Sequence, residues 1–230
     1  MPEDERRLDS ISTLWPEIHD ASNFVLRYGP AIRAYLEAIL HVPDDVEEAM
    51  QEFLVRVVEH RFERVTPDRG RFRDYLKRAV RNAAVSRIRK RRTRSTGGDG
   101  VDALAAPESA SEPDARWRDA WRRCVLEGAW RATERHERSS PGNLFHTVLT
   151  LVTEHSEEDS AALAARAGDR RGEAISPVAF RKQLSRARKF FAERIAAEVA
   201  RTLQQPTPAR VEEELADLGL LEIVREHLAE

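Results

Sequence analysis

RFERVTPDRGRFRDYLKRAVRNAAVSRIRKRRTR, from Arg61 to Arg94, is the stretch on which the reading of this chain turns. It holds fourteen basic residues against three acids, a local charge of +11 in a chain whose net charge is -2. The remaining residues are therefore strongly acidic, and it is this localisation of positive charge that marks a polyanion-binding surface. Phe72, Tyr75, Leu76, Ala79, Val80, Ala83 and Ile88 recur at helical spacing, which predicts a long helix from about Arg71 to Arg92. Thr66-Pro67-Asp68-Arg69-Gly70 has the composition of the loop before it. Most of the cations fall off the apolar stripe, so several can reach one surface without entering the core.

Upstream, two further amphipathic helices are expected. Phe24, Val25, Tyr28, Ile32, Tyr35, Leu36, Ile39 and Leu40 predict one over Ala21 to His41, with Gly29-Pro30 as a break or kink near its start. Pro43-Asp44-Asp45 opens the next, whose stripe is Val46, Ala49, Met50, Phe53, Leu54, Val57 and Val58, with Asp44 and Glu47 resembling a capping pair. Its other face carries Glu47, Glu48, Gln51 and Glu52 near the positive end of the helix dipole. By pattern alone that face serves as a solvated, dipole-compensating surface or as a docking one.

Downstream, Ser95 to Asp114 is rich in Gly, Pro and small residues and has few large apolar ones, which is linker composition. Trp117, Trp121, Cys124, Val125 and Gly128 then share a face of a helix near Ala115 to Glu137, with Cys124 as a buried small hydrophobe. Leu144 to Val152 is another apolar helix. Ser156 to Asp159 caps a short Ala-rich helix, Ala161 to Ala167, with Gly168 placed to end it. Ser176-Pro177 starts a longer helix with Phe180, Leu184, Ala187 and Phe191 inward and Arg181, Lys182, Gln183, Ser185, Arg186 and Lys189 outward. A short helix, a turn and a longer basic helix is the pattern of a helix-turn-helix, although the turn, Asp169 to Ile175, is longer than usual. Val211 to Leu228 is an acidic amphipathic tail divided at Gly219, suited equally to packing back on the second domain or to meeting a partner.

The fold class expected is therefore all-α: two small helical domains joined by a flexible linker, the second containing a helix-turn-helix. The divisions are residues 1–94, a linker over 95–114, a second domain over 115–206 and a C-terminal extension over 207–230. No apolar run approaches membrane-span length, and the N-terminus lacks a secretory leader's apolar core, so a cytoplasmic protein without membrane insertion is expected. One cysteine excludes an internal disulfide and a Cys-rich zinc site. His155 with Glu157, Glu158 and Asp159 is the only tight cluster of ligand types, and its carboxylates read more simply as helix N-terminal charges. With no hydrolase, zinc-protease, nucleotide-loop or dinucleotide motif, no enzyme, catalytic residue, metal or cofactor is expected.

The order of these elements resembles bacterial RNA polymerase sigma factors, the small two-domain extracytoplasmic-function type. The resemblance rests on Asp44-Asp45-Val46-Glu47-Glu48-Ala49-Met50-Gln51-Glu52-Phe53, on Arg69-Gly70-Arg71-Phe72-Arg73-Asp74-Tyr75-Leu76, and on Ala79-Val80-Arg81-Asn82 with the arginine run. It implies that the first domain is sigma region two and the second region four, in a protein that binds core RNA polymerase, directs it to promoters and promotes transcription initiation. It implies core-polymerase contacts for Asp45, Glu48, Gln51 and Glu52. It implies contacts to the melted -10 element for Arg61, Phe62, Arg64, Arg69, Arg71, Arg73, Lys77, Arg78, Arg81, Asn82, Arg87, Arg89 and Lys90, with Phe72 and Tyr75 serving either as base platforms or as core. For the duplex -35 element it implies Ser176, Arg181, Lys182, Gln183, Ser185, Arg186 and Lys189. An anti-sigma factor or other regulator is a further expected type of partner. Ser86 departs from the family pattern, which often has an acid there. The rival reading is a stand-alone helix-turn-helix regulator that binds duplex DNA without polymerase.

Overall fold

The structure, a computed structural model, describes residues 21–60, 71–96, 111–140, 142–203 and 205–228. Among the described residues every regular element is a helix, as the periodicity requires. In order they are α1 (Ala21–Leu40), α2 (Pro43–His60), α3 (Phe72–Thr96), α4 (Ser111–Ser139), α5 (Phe145–Glu154), α6 (Ser160–Arg171), α7 (Pro177–Ala200), α8 (Pro208–Asp217) and α9 (Leu221–Leu228).

The chain divides into two compact units. The first comprises the residues up to Cys124 together with Ala200–Val211, and the second Val125–Val199 with Glu212–Glu230. The division falls inside α4, and residues 97–110, most of the linker that composition suggests, lie outside the described residues. Its cause is visible in the packing of the first unit. Trp121 stacks on Tyr28 at 4.9 Å between ring centroids and 13° between planes, Trp117 meets Tyr35 at 5.4 Å, and Phe72 meets Tyr28 at 5.4 Å. These rings are all buried, so the first turns of α4 complete an aromatic core to which α1 and α3 also contribute.

In that unit α1, α2 and α3 pack on one another through the stripes their sequences predict. Two local expectations fail for physical reasons. The helix α1 runs unbroken through Pro30, which is exposed. The carbonyl that Pro30 leaves without an amide partner belongs to Leu26, which is 67% exposed, so water can take it. Glu47 does not reach back to cap α2. Its carboxylate accepts two hydrogen bonds from Arg33 of α1, at 2.5 and 3.1 Å. Val58, counted with the α2 stripe, is 55% exposed.

The second unit has a core of Val148 and Leu151 from α5, Leu163, Ala164 and Ala167 from α6, and Phe180 and Ala187 from α7. Asp159 Oδ1 accepts the Ala161 and Ala162 amides at 2.9 Å each, a side-chain cap that starts α6. The helix then passes through Gly168 and ends at Gly172, whose φ of 74° is left-handed. Gly168 is instead a close approach, since a β-carbon there would lie 3.0 Å from the Glu173 carbonyl oxygen. Asp169, Arg170 and Arg171 thus belong to α6, and the turn to α7 is shorter than the sequence suggested. Gly219, at φ 65°, separates α8 from α9, and Leu215, Leu218, Leu220 and Val224 around it are buried.

Candidate nucleic-acid interface

The helix α3 presents two chemically different faces. Phe72, Leu76, Val80, Ala83 and Ala84 are buried, and two arginines are buried with them, Arg73 at 8% and Arg87 at 7% exposure. Arg78, Asn82 and Arg89 lie on the opposite, exposed side, with Arg81 half-buried beside them. No ion pair involves Arg78 or Arg89 among the described residues, so this face offers cations to an external anion. Arg71 is half-buried at the start of the helix, while Arg61, Phe62, Arg64 and Arg69 lie outside the described residues.

The second face explains where much of the positive charge goes. Arg87 Nε donates to Asp45 Oδ1 at 2.7 Å, and its Nη1 donates to Glu48. Arg91 Nη1 donates to the other Asp45 oxygen at 2.6 Å. Lys90 Nζ donates to both oxygens of Glu52 at 2.8 Å. The acidic face of α2 and the basic end of α3 are therefore bound to each other. Hydrogen bonds from Arg87 and then Arg91 hold the Asp45 carboxyl below the usual carboxylate range against the opposing effect of burial, and Lys90 does the same for Glu52.

Three of the implied site residues are buried within the first unit. Asp45 is 4% exposed with both oxygens engaged, so it ties α2 to α3 and offers no free carboxylate to a partner. Arg87 is its buried counterpart, a cation made necessary by the core and unavailable to a phosphate. Arg73 is likewise withdrawn from the surface, with an Asp74 oxygen 4.0 Å from its Nε. Phe72 is core, packed on Tyr28 and Trp121, and Tyr75 is half-buried, which raises its hydroxyl pKa. Glu48, Gln51 and Glu52 keep exposed or partly exposed side chains on α2, next to the exposed Val55. Lys77 is paired with Asp114 of α4 at 2.7 Å, a contact across the linker that no local pattern could have indicated.

The helix α7 is built differently. Ser176 Oγ accepts the Ala179 amide at 3.1 Å, so the expected cap is present, and Pro177 occupies the first position of the helix. Arg181, Lys182, Ser185, Arg186 and Lys189 are exposed, and none of these four cations has an ion pair among the described residues. Gln183 is half-buried, its amide donating to the Gly142 carbonyl at 3.1 Å. Val178, which the sequence reading passed over, stands 67% exposed near the helix start.

Glu158 is held by Arg166 at 2.6 Å and Asp159 caps α6, so the cluster at His155 is a helix entrance; no group of metal-ligating side chains occurs among the described residues. No helix among them is long and apolar enough to cross a membrane.

A helical unit that sets an acidic amphipathic helix against an arginine-rich one, and leaves an open cationic face, falls in the class of helical nucleic-acid-binding domains. Residues 24–94, from within α1 to the last turn of α3, match the family model for Sigma-70 region 2. Such a domain indicates a role in RNA polymerase binding and promoter melting. No curated protein and no solved structure matches the chain. The matched residues stop short of α4, so Trp117 and Trp121 complete the core from outside them.

Proposed function

We propose that this chain is a sigma factor of the small two-domain, extracytoplasmic-function type, acting in the cytoplasm on core RNA polymerase and promoter DNA. The observation that carries the reading is the pairing, within the matched residues, of an exposed acid and amide face on α2 with an open cationic face on α3. Glu48, Gln51 and Glu52 dock on polymerase. Arg78, Arg81, Asn82 and Arg89, with the cations of residues 61–71, hold the melted -10 strand by its phosphates. Region four is the α6–turn–α7 segment, a helix-turn-helix whose second helix enters the major groove of the -35 element. There Arg181, Lys182, Ser185, Arg186 and Lys189 meet bases and phosphates.

Run-off transcription with core enzyme on a promoter selected from genomic fragments tests this reading. Transcripts that depend on the added protein, together with its retention on immobilised core, are expected. Absence of both results overturns the proposal. The second reading, a stand-alone regulator, is favoured by the α7 cations, which are available without any partner. It requires tight, specific duplex binding by the protein alone.

A further inference from the structure

Two sets of side chains assigned above to different partners are each other's ligands in the free protein. Glu48 and Glu52 face polymerase in the proposed function, yet here they accept hydrogen bonds from Arg87 and Lys90, on the helix assigned to DNA. The pairs differ in depth. The Arg87 and Asp45 side chains are 8% and 5% exposed, whereas Lys90 is 46%, Glu52 35%, Glu48 49% and Arg91 50% exposed.

Depth decides which of them can exchange. Breaking the Arg87–Asp45 pair would leave a charge stranded in a dry site, so that pair is fixed. The Lys90–Glu52 pair is wet on both sides, contributes little net stability, and can trade either member for an external partner without opening the core. Water and salt already compete for it.

Resting on the proposed function, we propose that the Lys90–Glu52 pair is an exchangeable clasp that couples polymerase docking on α2 to DNA binding on α3. A basic polymerase surface that takes Glu52 releases Lys90 to a phosphate. A phosphate that takes Lys90 releases Glu52 to polymerase. By linkage, each partner strengthens binding of the other by the same factor. Because the pair is surface-exposed, that factor is modest, about two- to fivefold. Arg78 and Arg89 lie outside the clasp, so the free protein retains a basal affinity for DNA, and the clasp adjusts that affinity.

The test uses the full chain and a short fluorescein-labelled single-stranded oligonucleotide of mixed sequence, read by anisotropy at low ionic strength. Wild type is compared with Glu52→Gln, Lys90→Gln and the double variant. Glu59→Gln serves as a charge control, since Glu59 is exposed on the same helix and in no ion pair among the described residues. Glu52→Gln is expected to tighten binding about two- to fivefold, by more than Glu59→Gln, and to lose that gain when Lys90 is also neutralised. Thermal unfolding of each variant shows that the fold is retained. An equal gain from Glu59→Gln, or a gain that survives Lys90→Gln, identifies a general charge effect and overturns the clasp. If the oligonucleotide binds and Glu52→Gln changes nothing, the clasp fails while the functional reading stands. If wild type binds no oligonucleotide at all, there is no basal affinity for the clasp to adjust and the clasp fails, while the functional reading is decided by run-off transcription and core retention.

Discussion

The basic helices α3 and α7 look alike in sequence and differ in what their charges do. Both thread arginine and lysine through an apolar stripe. In α3, Arg87, Lys90, Arg91 and Lys77 are bound to Asp45, Glu52, Asp45 again and Asp114, and Arg73 is buried. In α7, Arg181, Lys182, Arg186 and Lys189 stand exposed without an ion pair among the described residues. A run of positive charge therefore has two separable meanings. Beside an acidic helix it is partly an internal electrostatic seam, and beside none it is a surface held open for an anion.

The contrast is broken most forcefully through the core that positions α3. Trp121→Ala removes a 1%-exposed ring stacked on Tyr28 and close to Phe72, and is expected to cost about 3–5 kcal/mol. Its indole nitrogen has no hydrogen-bond partner among the described residues, so the loss is one of packing and apolar burial. Urea unfolding followed by far-UV circular dichroism measures it. A cost below about 1 kcal/mol would show that α4 merely rests on the first unit, and that region two's own three helices suffice to hold α3.

A smaller effect comes from the seam itself. Asp45→Asn removes the charge facing Arg87 and Arg91, and about 2–3 kcal/mol of stability should be lost at neutral pH, the low end for a buried pair because Glu48 still partners Arg87. The folded state holds Asp45's pKa below its ordinary value of 3.8. Its contribution is therefore complete above about pH 4 and is lost as pH falls through the lower, folded value. Urea midpoints for wild type and Asp45→Asn should be well separated at neutral pH and converge below about pH 4. A separation that stayed constant with pH would mean that Asp45 acts through packing alone, and the seam would lose its electrostatic meaning.

These cases also show what the sequence could reveal. Helical periodicity located α1, α2 and α3 because burial of Ile32, Leu36, Phe53, Leu76 and Val80 follows directly from spacing. The Ser176 cap and the break at Gly219 were readable because turn chemistry is local. Gly168 misled because the same residue that ends helices also permits close backbone approach, and only the position of Glu173 distinguishes the two. The pairing of Asp45 with Arg87 and the docking of Trp117 on Tyr35 were not legible. They join residues far apart in sequence, and charge and aromatic patterns identify a residue type without identifying its partner. Of the residues implied for the polymerase and -10 surfaces, Asp45, Glu48, Glu52, Arg87 and Lys90 meet one another where α2 packs on α3.

The finest discrimination between the two helices is in salt dependence. A cation that is bare in the free protein releases counterions from DNA when it meets a phosphate, lowering the slope of log affinity against log salt by about 0.9 per contact on duplex and about 0.7 on single strands. A cation that leaves a carboxylate to do so returns that carboxylate to solution, where it gathers a counterion, so the net release is smaller. Arg186→Gln should accordingly reduce the duplex slope by close to the full increment, and Arg89→Gln should do so on single strands. Lys90→Gln should reduce the single-strand slope by clearly less than Arg89→Gln, because Lys90 starts on Glu52. Anisotropy titrations across a salt series read all three. Equal slopes for Lys90 and Arg89 would place both on the same open face, and α3 would then differ from α7 only in its fixed pairs.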